Sequence, residues 1–207
     1  REFCTVSGKA LEFVAVLSIP LTVSFTIMAK QCILLLSGNA YLPSVIPMCI
    51  IMPTLILIGA SNVFGVQMLV PLGKETIVLY SECAGAVADI ILNAVFIPRY
   101  GASGAAFGTL VAEAVVLVVQ AAALKNMAWE IIKKVEVWKI LPAAALSGAA
   151  MIFIKNKVNM PVFPVLVICF SVFFSIYGIL LLGMKERILM ELLRTAAKRL
   201  KQKEREE

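Results

Sequence analysis

The chain has no histidine at all. That removes Ser-His-Asp and Cys-His nucleophilic machinery, histidine-containing zinc sites and imidazole proton shuttles. Its five cysteines, Cys4, Cys32, Cys49, Cys83 and Cys169, are odd in number and show no C-x-x-C spacing. Four of them lie inside apolar runs, where cysteine behaves as a small hydrophobe, so neither a disulfide framework nor a metal site is expected. Charge is also scarce: 15% of the 207 residues are charged and 61% are hydrophobic, with a mean hydropathy of +0.95. A soluble domain carries about 25% charged residues, and one of this make-up could not cover its own surface. The composition therefore predicts an integral membrane protein. The formal charge of +6 does not point to nucleic acid, because the basic residues gather at the ends of apolar runs and in the tail, without interleaved stacking aromatics. They read instead as topology signals and contacts to lipid headgroups.

A membrane-spanning helix needs about 20 mainly apolar residues. Six runs meet that length: Ala10 to Leu36, Pro43 to Leu72, Thr76 to Ile97, Gly104 to Leu124, Val137 to Ile154 and Val162 to Met184. The fold class expected is thus all-α and polytopic, with six transmembrane helices. The first run exceeds the ~7–15 residues of a signal-peptide core, and no small-residue cleavage pattern follows it. Lys and Arg are lopsided across the runs. One side collects Arg1, Lys9, Lys74, Lys125, Lys133, Lys134, Lys139 and eight more in the tail, and the other only Arg99, Lys155 and Lys157. The positive-inside rule then puts both termini in the cytoplasm. Trp129 and Trp138 bracket the inner loop, and Tyr41 and Tyr100 sit in outer ones, as interfacial aromatics should. From Lys185 onward, Ile188, Leu189, Leu192, Leu193, Ala196 and Leu200 share one helical face against Lys and Arg on the other. This reads as a basic amphipathic helix on the inner leaflet, fraying at KEREE. A solvated charged helix is the plainer alternative.

Polar groups inside the runs are few enough to examine singly. Glu82, Asp89 and Asn93, at i, i+7 and i+11, share a face of the third run. Asp89 is its fourteenth residue, and Glu113 is tenth in the antiparallel fourth run, so the two acids fall at similar depth. An ionised group there costs ~2.5–3.5 kcal/mol even on insertion scales. The pair could coordinate a cation or share a proton. Alternatively, neutral acids and amides hydrogen-bond between helices for roughly 0.6 kcal/mol each, which is the reading preferred for Asn93. Ser18, Thr22, Thr26 and Lys30 recur every four residues along the first run. Such a stripe could line a hydrated cavity and offer an ammonium to a phosphate, or Lys30 could snorkel to the interface. Glu12, near the inner end of that run, needs no special explanation. Pro47 and Pro53 should kink the second run, with Ser61, Asn62 and Gln67 following inward. Gly104, Gly108 and Ala112 form a small-xxx-small ridge for close helix packing. The spacing does not match a dinucleotide-binding G-x-G-x-x-G.

The string LNAVFIPRYGASGAAFGTLVAE resembles the N-x-x-[IF]-P-x-[YF]-G-x-x-G-A-A segment of the oligosaccharide flippases in the multidrug/oligosaccharidyl-lipid/polysaccharide exporter superfamily. SIPLTV, LLSGNAYLPSV and VQMLVPLGKE agree with upstream features of that family in order, so the resemblance covers roughly Leu17 to Ala123. It places Gln67, Asn93, Pro98, Gly101, Gly104 and Glu113 on recurring positions. It implies a polysaccharide biosynthesis C-terminal domain-like region over 10–154, preceded by an N-terminal cytoplasmic segment, 1–9, and followed by a last outer loop and helix, 155–184, and a basic tail, 185–207. The implied function is translocation of lipid-linked oligosaccharide or polysaccharide precursors across the bacterial inner membrane by alternating access. A coupling ion would be H+ or Na+, and no bond is broken, so no residue is expected to be catalytic and no cofactor or metal is expected. Candidate pathway residues are Lys30, Gln67, Glu82, Asp89, Asn93 and Glu113. Family members have twelve or fourteen spans, and this chain matches the last six of fourteen. It begins with Arg1 rather than methionine and reads as a fragment. The partners expected are membrane lipids, the lipid-linked sugar and the missing N-terminal lobe of the same transporter. A cation-coupled drug exporter of the same superfamily and a non-transporting scaffold of a glycan-synthesis complex are the competing readings.

Overall fold

A computed structural model describes residues 2–158 and 160–191. These residues are helical throughout, with no strand among them. The helices are α1 (Glu2–Ile27), α2 (Ala29–Leu36), α3 (Val45–Ile51), α4 (Thr54–Phe64), α5 (Glu75–Tyr100), α6 (Ala102–Leu124), α7 (Asn126–Ile132), α8 (Val137–Lys157) and α9 (Val162–Gly183). A 3-10 turn (Asn39–Ser44) precedes α3, and a π-turn (Gly65–Leu69) continues α4. By length and hydropathy, six of these segments can cross a membrane: Phe3–Ile27, Asn39–Leu69, Glu75–Tyr100, Ala102–Leu124, Val137–Lys157 and Val162–Gly183.

The six runs of the sequence reappear, with altered ends and breaks. The first helix starts eight residues before Ala10 and is interrupted at Met28, within what reads as one run ending at Leu36. Lys155 explains the interruption, since its Nζ donates to the Ile27 carbonyl at 2.8 Å. A side-chain donor inserted into the i→i−4 ladder is a known cause of kinks. The second run bends at Pro53 rather than at Pro47, which sits inside α3. Pro53 has no N–H to give the ladder, and Thr22 Oγ1 from α1 donates to the neighbouring Met52 carbonyl at 3.2 Å.

The expected outer loop from Pro98 to Gly104 is almost wholly helical. Helix α5 runs through Pro98 to Tyr100, and α6 begins at Ala102. Gly101 alone reverses the chain, at φ 55° and ψ −132°, with its N–H on the Ile97 carbonyl at 2.8 Å and its own carbonyl accepting from Gly104 and Ala105. Glycine reaches this conformation without a Cβ penalty, and one residue therefore caps two helices. The fifth apolar run extends to Lys157 rather than ending at Ile154.

Helix α1 is central, packing against α4 on one side and α8 on the other. Helix α6 packs on α3 and α4, and α9 lies on α8. Helix α5 packs chiefly on α6 and forms the outer edge. Three apolar clusters fill the interior. Leu11, Phe64, Met68 and Ile131 join α1 to α4, the π-turn and α7; Val16, Ile140, Ala144 and Tyr177 join α1, α8 and α9; Met28, Met151, Cys169 and Phe173 join the α1–α2 break to α8 and α9. The Tyr177 hydroxyl, unable to stay dry without a partner, donates to the Val16 carbonyl at 3.0 Å.

Trp129 and Trp138 are exposed toward one end of the bundle, and Tyr41 and Tyr100 toward the other. Past α9 the chain turns at Lys185 into a further helical turn, 187–191. Ile188 is buried and Leu189 packs on the second cluster, so the first turn of the expected amphipathic tail docks on the bundle itself. The remainder of that tail, 192–207, lies outside the described residues.

Candidate functional site

The α5–α6 hairpin builds the site by the closeness of its two helices. A Cβ at Gly85 would lie 2.5 Å from Val116 Cγ2 and 3.2 Å from the Ala112 carbonyl oxygen. One at Gly104 would lie 2.5 Å from the Phe96 carbonyl oxygen, and one at Gly108 2.6 Å from Asn93 Oδ1 and 3.3 Å from Asp89 Oδ1. The ridge of Gly104, Gly108 and Ala112 thus faces α5, all three buried, as small residues at a membrane-helix interface allow.

That absence of a side chain at Gly108 is what lets Asp89 and Asn93 turn inward. Both are half-buried, and both Oδ1 atoms are shielded from solvent without a hydrogen-bond partner. Orphaned acceptors of this kind are costly in a dry environment. Two oxygens with free lone pairs beside a glycine make a place where a cation could be held; neither a histidine nor a thiol stands nearby, so the donor set is hard.

Glu113 completes the arrangement. A cavity of about 210 Å³ is lined by Glu82, Gly85, Ala86, Asp89, Thr109, Ala112, Glu113 and Val116. A second of about 210 Å³ is lined by Ser61, Asn62, Gly65, Glu82, Glu113 and Gln120, among others. Glu82 and Glu113 line both, so three acids border these two neighbouring cavities along α4, α5 and α6. Asp89 lies twelve residues before Gly101 and Glu113 twelve after it; at a rise of 1.5 Å per residue each stands about 18 Å from the turn.

The other sequence candidates fall unevenly. Gln67 is exposed on the π-turn and its Nε2 donates to Asn62 Oδ1 at 3.4 Å, so it reaches the second cavity only through that neighbour. Lys30 is exposed on α2, beyond the break at Met28, and lines neither cavity. The stripe that leads to it is largely absorbed in packing: Thr22 bonds Met52, the Thr26 carbonyl accepts from Cys49 Sγ at 3.8 Å, and Ser18 is buried.

Two buried polar residues escape the sequence, one at this site and one outside it. Gln120 is almost wholly buried, donates from Nε2 to Ser81 Oγ at 3.0 Å, and rests against Gly65, where the π-turn begins. Ser81 passes the chain on to the Val78 carbonyl at 2.7 Å. The π-turn widens the helix where Gln120 enters, a distortion common at functional sites. The one signal was a lone amide in an otherwise apolar run. Glu12 is the second: sequence position makes it an ordinary end-of-helix acid, yet it is 2% exposed, and its Oε1 has no partner among the described residues.

Comparison with protein-family models, with curated proteins and with solved structures finds no match for this chain.

Proposed function

We propose that the chain is the C-terminal part of a flippase that moves lipid-linked oligosaccharide or polysaccharide precursors across a bacterial inner membrane, both termini facing the cytoplasm. The observation that carries the reading is the acidic track on α5 and α6. Asp89 and Asn93 present unpartnered oxygens beside Gly108, and Glu113 lines the same cavity. Acids at depth in apolar helices are expensive to keep and mark ion or proton pathways more often than not. Here they suit a coupling site for H+ or Na+. The reading gains from the motif string through Gly101, which is also the residue that sets the hairpin. Its substrate is a lipid-linked sugar, its surroundings are membrane lipids, and its counterpart is an N-terminal lobe supplying the other wall of the translocation path. The bond chemistry of the substrate is untouched, so no residue acts as a catalyst.

The test is replacement in the source bacterium of the wild-type gene by Asp89→Asn and Glu113→Gln forms. Loss of surface glycan, with lipid-linked precursor accumulating inside and protein levels unchanged, is the expected result. Normal glycan with lost efflux of small cationic dyes would favour a drug exporter. Intact glycan in both variants, with glycan lost on truncation after Met184, would favour a scaffold. Orientation is checked apart from transport, in a background free of native cysteines. A cysteine at Ser103 should react with an impermeant thiol reagent from outside, and one at Glu75 should not; the opposite labelling would reverse the topology.

A further inference from the structure

At the end of the bundle opposite Gly101, three carboxylates converge from three separate segments. Glu12 comes from α1, Glu136 from the residue that precedes α8, and Glu186 from the turn after α9. One oxygen from each lies within 4.8 Å of the other two. Glu12 and Glu186 are 2% and 0% exposed, while Glu136 is only half-buried. Like charges brought this close out of water repel unless something positive lies among them.

The neighbouring groups answer only part of that need. Lys139 Nζ stands 2.5 Å from Glu136 Oε2. Both oxygens of Glu186 accept backbone N–H groups, Oε1 from Ile188 at 3.1 Å and Oε2 from Leu189 at 2.7 Å, in the manner of a helix N-cap. Arg187 lines the same cavity as Glu136. Lys9 is engaged elsewhere, with Glu191 at 2.7 Å. After all of these, Glu12 Oε1 remains buried with no donor among the described residues. A fully enclosed carboxylate oxygen, unpartnered and set among two other carboxylates, is the signature of a missing positive ligand rather than of a surface acid. A cavity of about 560 Å³ lined by Lys9, Glu136, Lys185, Arg187, Met190 and Glu191 borders the cluster at Glu136.

We propose that Glu12, Glu136 and Glu186 form a binding site for a hard divalent cation of the Mg2+, Ca2+ or Mn2+ class. The donor set is oxygen only, which selects these ions over softer transition metals. Each of the three carboxylates offers one oxygen, and water fills the remaining positions of the ion. Bound there, the ion ties α1 to the start of α8 and to the end of α9, across more than 170 residues of sequence. The site is independent of the acidic track on α5 and α6, since it shares no residue with either cavity there.

The test uses the chain purified in detergent and stripped of metal, titrated with Mn2+ and followed by electron paramagnetic resonance. One saturable Mn2+ per chain, displaced by Ca2+ or Mg2+, is expected, with thermal unfolding moved upward by the ion. Glu12→Gln should weaken Mn2+ binding at least tenfold and abolish the thermal shift. Should that variant not fold, Glu136→Gln, at the exposed edge of the cluster, replaces it with the same expectation. Glu130→Gln, exposed on α7 and outside the cluster and both α5–α6 cavities, should leave the binding unchanged. No saturable Mn2+ binding by the wild type, or binding that survives both glutamine variants, overturns the proposal.

Discussion

Replacing Gly104 by alanine adds one methyl group and should cost the hairpin more than the helix gains. The new Cβ would stand 2.5 Å from the Phe96 carbonyl oxygen, 2.6 Å from its carbon and 3.0 Å from the Ile97 nitrogen. Non-bonded heavy atoms settle at about 3.5–4.0 Å, so the backbones must part by roughly 1 Å. Neither partner can rotate aside, because all three atoms are main chain. Only three residues away Gly101 reverses the chain with no spare length. Alanine in place of glycine favours the helix by about 0.5–1 kcal/mol, while overpacking a tight contact costs about 1–3 kcal/mol. The net expectation is destabilisation by about 1–2 kcal/mol. Gly178 supplies the control: it lies inside α9 with nothing within 4 Å of its would-be Cβ, so Gly178→Ala should be neutral or stabilising. Equilibrium unfolding in mixed detergent micelles, followed by circular dichroism, would compare the two. A Gly104→Ala protein as stable as Gly178→Ala would refute the close approach of α5 and α6.

Two further outcomes are expected in the same assay. Lys155→Met removes the Nζ donor on the Ile27 carbonyl at the α1–α2 break and should destabilise by about 1–2 kcal/mol; unchanged stability would mean that the bond does not hold the break. Lys125 caps α6 at φ 51° and ψ −125°, a region that is almost reserved for glycine. Lys125→Gly should therefore raise stability by about 1 kcal/mol, and a loss would show that the lysine side chain matters more than its backbone strain.

Hydropathy made the six long helices legible, because a run of about 20 apolar residues leaves the backbone little but helix when water is scarce. The breaks were less so, and for a common reason: each depends on a partner distant in sequence. The interruption at Met28 follows from Lys155, on another helix. Pro98, a helix breaker by local rule, sits inside the last turn of α5, where only two residues of helix follow the bond it forfeits. Asp89 and Glu113 were visible as acids at matched depth and Asn93 as a neighbour on the Asp89 face, and the structure sets Asp89 and Asn93 beside Gly108 and Asp89 and Glu113 in one cavity. Lys30 shared the periodicity of a polar stripe, but the break after Ile27 carries it away from the acids. Glu12 could not be read, since its neighbours Glu136 and Glu186 approach it only when the chain is folded.

The single-residue turn at Gly101 carries a mechanical consequence. Two helices joined without slack and packed glycine to backbone behave as one rigid blade, and the blade is attached to the bundle mainly through α6. Asp89 and Glu113 then cannot slide past one another. A motion that lifts or tilts the hairpin transports both acids together, as marks on a ruler move together. The spacing of the two acids is thereby fixed by the hairpin, and only the surroundings against which the blade moves can change.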